Sequence, residues 1–158
     1  MKSSAHGLAG DPVTSSFDSL VWMVPLPGSS RKGPEMKRIL VIDDNVYVRS
    51  LLREMLELAN YEVTEAPNGE IGARLFRQNP VDLVITDIFM PEKEGLETIR
   101  ELRRSFPDVK IIAIYGGGSR GDLAFLPTAK KLGAHRTFVK PFEMDEILAA
   151  IRELLGEP

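Results

Sequence analysis

The 158-residue chain contains no cysteine. That excludes disulfides, zinc–thiolate centres and thiol nucleophiles, so a folded state must rest on ordinary core burial. Histidine is scarce, with two residues; nothing near His135 has metal-ligand spacing, and it reads as a surface residue before the last strand. No apolar run is long enough to span a bilayer. The amino terminus is also a poor secretory signal: its basic content is Lys2, and its apolar stretch, Leu20 to Leu26, is broken by Pro25 and preceded by Asp11 and Asp18. Positive charge is not in excess. The formal net charge of −3 argues against general nucleic-acid binding. These absences lead us to expect a cytoplasmic protein with neither membrane nor nucleic-acid partners.

What remains is an ordinary globular composition, 43% apolar and 27% charged, at a length that suits one domain plus a tail. Residues 1–35 are rich in Ser, Gly and Pro, and Gly28-Ser29-Ser30-Arg31-Lys32-Gly33-Pro34 reads as a linker. We expect residues 1–35 to be a disordered extension of upstream or vector origin. The one notable feature there is the apolar set Phe17, Leu20, Val21, Trp22, Met23 and Val24. Met36 stands directly before the first strand, and 36–158 is the expected folded domain.

From residue 37 short β-branched runs at 38–42, 61–66, 81–86, 109–114 and 136–139 alternate with helical patterns at about 45–58, 69–78, 95–105, 121–132 and 143–155. In the first helix Val48, Leu51, Leu52, Met55 and Leu56 are predicted to face inward. In the fourth, Pro127 obscures the start, because proline is tolerated in a first turn and not in a helix interior. Five βα units in series predict an α/β fold: a doubly wound, five-stranded parallel sheet of order 2-1-3-4-5, flavodoxin-like. In such sheets the functional crevice lies at the carboxyl ends of the strands beside the switch point, between strands 1 and 3.

The chemistry sits at those ends. Asp43-Asp44 closes the run Ile39-Leu40-Val41-Ile42, Asp87 closes Val81-Asp82-Leu83-Val84-Ile85-Thr86, and Lys140 closes Thr137-Phe138-Val139. A charge at the end of a buried strand is costly unless it is partnered. Carboxylates gathered with too few cations attract a hard divalent ion, and Mg2+ suits oxygen ligands of this kind. An Asp carboxylate can also act as a nucleophile toward a phosphoryl group. Asp43 and Asp44 have a plainer reading as helix caps. Gly116-Gly117-Gly118 lacks the lysine and hydroxyl of a P-loop and reads as a loop.

These segments resemble the receiver domain of two-component response regulators. The matching residues are Ile39-Leu40-Val41-Ile42-Asp43-Asp44-Asn45, Thr86-Asp87-Ile88-Phe89-Met90-Pro91 with Gly95, and Lys140-Pro141-Phe142. The resemblance implies that Asp87 is the phosphoacceptor and that Lys140 pairs with the phosphoryl oxygens. It implies that Asp43, Asp44 and Asp87, with the backbone carbonyl of Phe89, hold Mg2+ (or Mn2+), and that the bond preceding Pro141 is cis. A sensor histidine kinase or phosphotransfer protein is the implied donor. Output runs through contacts with another protein or onward phosphorelay from a stand-alone domain, monomeric or weakly dimeric. Such a protein promotes its own phosphorylation and dephosphorylation and is not a turnover enzyme.

Two positions depart from the family pattern. Tyr115, at the end of strand 4, stands where the family usually has Ser or Thr. Thr137, on strand 5, stands where an aromatic is common. The sizes are exchanged, so Tyr115 and Thr137 are expected to alter the usual switch. A non-switching interaction module is the alternative function. A flavin-binding rival is disfavoured because Asp43-Asp44-Asn45 repels phosphate, and a phosphatase because no second catalytic acid accompanies Asp87.

Overall fold

The computed structural model describes residues 35–90, 95–116 and 125–158. The apolar cluster of residues 17–24, Pro91, Glu92 to Glu94, Gly117 and Gly118 lie outside the described residues.

Five strands and five helices alternate: β1 Arg38–Ile42, α1 Val46–Leu58, β2 Glu62–Ala66, α2 Gly69–Gln78, β3 Leu83–Asp87, α3 Gly95–Ser105, β4 Lys110–Tyr115, α4 Phe125–Leu132, β5 Arg136–Val139 and α5 Met144–Leu155. The strands form one parallel sheet in the order β2-β1-β3-β4-β5. In β1, Ile39 to Ile42 are buried without alternation, as is all of β3, because helices cover both faces of a parallel sheet. Each such aliphatic side chain stabilises the fold by about 1.5–3 kcal/mol.

The pleat sorts these side chains into two cores. Leu40, Ile42, Val84, Ile111 and Ala113 join Phe76, Ile99, Leu102 and Ala129 on the α2–α3–α4 face. Ile39, Val41, Leu83, Ile85, Ile112 and Ile114 join Leu52, Leu56, Ile147 and Ile151 on the α1–α5 face. No helix among the described residues is long and apolar enough to cross a membrane.

Helix ends follow local chemistry. Asn45 caps α1, its Oδ1 accepting from the amides of Tyr47 (2.9 Å) and Val48 (3.4 Å). Asn68 caps α2 through the Ile71 amide (2.9 Å). Gly156 ends α5 in the left-handed region, which glycine adopts without a Cβ clash. Pro127 falls in the first turn of α4, where the missing N–H costs nothing.

Leu51 corrects the sequence expectation. It is 54% exposed, while Leu52 and Leu56 carry the inward face of α1. His135 was expected at the surface; it is half-buried, and its Nδ1 accepts a hydrogen bond from the Ile111 amide at 3.1 Å. Burial is the main cause that lowers its pKa.

Candidate functional site

β1 and β3 are neighbours with Ile42 opposite Thr86, so both chains leave the sheet side by side at its switch point. Asp43 and Asp44 follow β1, Asp87 ends β3, and Lys140 follows β5. One carboxylate oxygen from each of Asp43, Asp44 and Asp87 lies within 4.8 Å of the others. Asp43 and Asp87 are buried (2% and 4% exposed), and Asp44 is exposed at the rim.

Lys140 closes the constellation. Its Nζ donates to Asp43 Oδ2 at 2.6 Å and to Asp87 Oδ2 at 2.7 Å. The remaining oxygens are held by the backbone: Asn45 N donates to Asp43 Oδ1 (2.8 Å) and Phe89 N to Asp87 Oδ1 (2.9 Å). Helix capping falls to Asn45, leaving the two preceding aspartates for the crevice. The Lys140–Pro141 peptide is cis.

Burial raises the pKa of Asp87, against the opposing pull of Lys140 and the Phe89 amide. Burial lowers that of Lys140, but its hydrogen bonds to Asp43 and Asp87 outweigh this and the net shift is upward. Each shift reflects a charge taken partly out of water and held by its partner.

Three carboxylates face one ammonium, so the crevice keeps an uncompensated negative charge. A donor set made of hard oxygens with two charges to spare fits a divalent cation such as Mg2+.

Two glycines make room around these groups. A Cβ on Gly116 would lie 2.4 Å from Lys140 Cδ, so the lysine stem crosses the peptide there. A Cβ on Gly95 would lie 1.8 Å from the Asp87 carbonyl oxygen.

Tyr115 is buried, 4% exposed, with its ring edge-on to Phe89 (centroids 5.5 Å apart). Phe89 in turn meets Phe125 of α4 edge-on at 4.7 Å. The tyrosine therefore belongs to the α2–α3–α4 core and does not project into solvent. Thr137 is half-buried and pairs in register with Ala113, two residues before Tyr115. A cavity of about 530 Å3 near Phe76, Phe106, Val109 and Leu154 contains none of the acidic-site residues.

Sequence reasoning missed Arg49. It lies in no recognisable motif, yet its Nη1 donates to the Asp43 carbonyl at 2.7 Å. Its only sequence signal was a basic residue within reach of an acidic loop.

A doubly wound five-stranded domain with an acidic crevice and a lysine at its switch point defines a class of signalling domain. The family model described as the response regulator receiver domain matches residues 39–152. Chemotaxis protein CheY of Thermotoga maritima is 34% identical over 119 residues, covering 75% of this chain and 97% of its own length. The probable transcriptional regulator ycf27 of Cyanophora paradoxa is 38% identical over 119 residues, covering 75% of this chain and 48% of its own, so the match spans about half of that longer relative. The structure of TrrA from Thermotoga maritima, in complex with Mg2+ and BeF, is 40% identical with a TM-score of 0.65, covering 75% of this chain and 99% of that one. The chain belongs to the response regulator receiver family: it is a phosphoacceptor domain of two-component signal transduction. Such domains signal through protein contacts with kinases or phosphotransfer proteins and are not classic turnover enzymes.

Proposed function

We propose that Asp87 is the phosphoacceptor and that a phosphohistidine of a sensor kinase or phosphotransfer protein is the donor. The observation that carries this reading is the convergence of Asp43, Asp44, Asp87 and Lys140 at the switch point, with Lys140 already hydrogen-bonded to Asp87. A carboxylate oxygen of Asp87 forms the new P–O bond as the donor's N–P bond breaks, and the imidazole leaves with the electron pair. Asp87 is a weak nucleophile, so the site works by positioning and neutralisation. The Phe89 amide fixes the carboxylate's orientation through Oδ1. Lys140 shifts its contact from the Asp87 carboxylate to the incoming phosphoryl oxygens, which an ammonium suits as a point charge. Asp43, Asp44, Asp87 and the carbonyl of Phe89 would hold Mg2+, which when bound neutralises charge on the phosphoryl group. The Mg2+–BeF complex of TrrA supports this assignment.

Incubation with acetyl phosphate and Mg2+ is expected to add one phosphoryl mass to the intact protein, and Asp87→Ala to abolish the gain. A wild-type protein that stays unmodified, or an Asp87→Ala variant that is still labelled, would reject the assignment.

The burial of Tyr115 favours a particular readout. A family member with Ser or Thr at this place brings a small hydroxyl to the phosphoryl group. Here the position is filled by a ring packed on Phe89, and Phe89 meets α4 through Phe125. Phosphorylation chemistry is retained while the coupling from the site to β4 and α4 is altered. Tyr115→Ser should leave the extent of labelling unchanged and change the amide NMR shifts that phosphorylation induces in β4 and α4. Identical shift patterns in both proteins would remove the role given to Tyr115.

A further inference from the structure

The loop that carries two of the three aspartates is braced from outside the crevice. Arg49 sits in the first turn of α1 and turns its side chain back toward β1. Its Nη1 donates to the Asp43 carbonyl oxygen at 2.7 Å and lies 3.4 Å from that of Asp44. Its Nε stands 3.5 Å from Glu65 Oε1 on β2. Both side chains are largely covered, 14% and 25% exposed. Glu65 also takes a contact from Arg53 Nη1 at 3.1 Å.

We propose that Arg49 is a positioning residue for the divalent-cation site, and that Glu65 is its charge-balancing anchor. This rests on the metal role given above to Asp43 and Asp44. A carbonyl oxygen and the following amide nitrogen share one rigid plane. Holding the Asp43 carbonyl therefore sets the backbone torsions on both sides of the Asp43–Asp44 peptide, and with them the direction of the Asp44 side chain. Asp43 is fixed on its other side by Lys140 and the Asn45 amide. Asp44 is exposed, so Arg49 is the brace that limits its excursions. Groups that orient ligands without touching the ion commonly change metal affinity by about 10–100-fold.

The charge of Arg49 acts in the opposite direction. An unbalanced guanidinium beside the acidic loop repels a dication. Glu65 cancels that charge and leaves the orienting hydrogen bond. The two effects separate experimentally because they predict opposite signs for the same substitution.

The test is a Mg2+ titration of the full chain followed by amide chemical shifts, with thermal melts as a fold control. Arg49→Ala should weaken Mg2+ binding by about tenfold. Arg49→Lys, which keeps one donor and the charge, should recover part of the loss. Glu65→Gln should weaken binding by a smaller factor, since it exposes the positive charge while keeping the brace. Unchanged or tighter Mg2+ binding in a folded Arg49→Ala protein would overturn the proposal. Should Arg49→Ala fail to fold, Arg49→Lys and Glu65→Gln decide it, and wild-type affinity in both rejects it. A wild-type protein with no Mg2+ response sinks the metal reading itself; a normal wild-type response with insensitive variants sinks only the role of Arg49.

Discussion

Lys140→Ala is expected to slow labelling by acetyl phosphate by about 100-fold or more at saturating Mg2+, the usual scale for removing one preorganised charge-stabilising donor. The same substitution should leave Mg2+ affinity unchanged or make it tighter. The ammonium sits 2.6 Å from Asp43 and 2.7 Å from Asp87, so it competes with a cation for the same oxygens. A lysine that served only as a structural counter-ion would shift Mg2+ affinity in the same way but would not slow labelling once Mg2+ had replaced its charge. Labelling of the alanine variant at the wild-type rate in Mg2+ would therefore show that Lys140 does not act on the phosphoryl group.

Stability gives an independent reading of the same residue. Without Lys140, two carboxylates that are 2% and 4% exposed lose their counter-charge, and the metal-free variant should melt several degrees lower at neutral pH. The sign of the pH dependence follows. Asp87 already has a raised pKa because of burial, and removing Lys140 takes away the main opposing pull, raising it further. A carboxyl that binds protons more tightly folded than unfolded costs stability above its folded pKa and recovers it as pH falls. The gap in melting temperature between wild type and Lys140→Ala should narrow as pH is lowered toward the unfolded aspartate value. A gap that widens on acidification would show that the carboxylates are not the source of the loss.

The legible part of this protein is the part set by periodicity and by charge at strand ends. The short runs at 38–42 and 81–86, apolar without alternation from Ile39 to Ile42 and from Leu83 to Ile85, point to strands buried on both faces. The regular alternation then left a single reasonable sheet order, and that order brought Asp43, Asp44, Asp87 and Lys140 to one crevice. Features decided by three-dimensional neighbours were not legible. Leu51 and Leu52 are both apolar at helical spacing, and only the direction in which α1 packs decides that Leu52 is buried. His135 read as a surface residue because its partner, the Ile111 amide, is 24 positions away. Tyr115 was visible as an anomaly, but its contact with Phe89, 26 positions earlier, was not. Arg49 gave only a faint signal, a basic residue near an acidic loop, because its partners include backbone carbonyls, which every residue has.

Gly95→Ala is expected to cost more stability than an ordinary surface substitution, about 3 kcal/mol or more, at the upper end of overpacking effects. The reason lies in what the added methyl would meet. Its nearest neighbours are the Asp87 carbonyl oxygen at 1.8 Å, the Asp87 carbonyl carbon at 2.7 Å and Ile88 Cα at 2.8 Å. All are backbone, and none can rotate away. Gly95 N also donates to the Ile88 carbonyl at 2.9 Å, so α3 cannot back off without breaking that bond. The strain falls on the peptide of Asp87 itself. Labelling by acetyl phosphate should therefore drop together with the melting temperature, and added Mg2+ should recover little of either. Gly116 supplies the contrast. A Cβ there would meet Lys140 Cδ at 2.4 Å and Cε at 2.9 Å, atoms of a flexible stem that can move. Crowding at that place displaces the lysine and spares the backbone. Denaturant melts and labelling rates measured together distinguish the two kinds of crowding. A Gly95→Ala protein with wild-type stability and wild-type labelling would show that α3 and the Asp87 peptide are not held as closely as described.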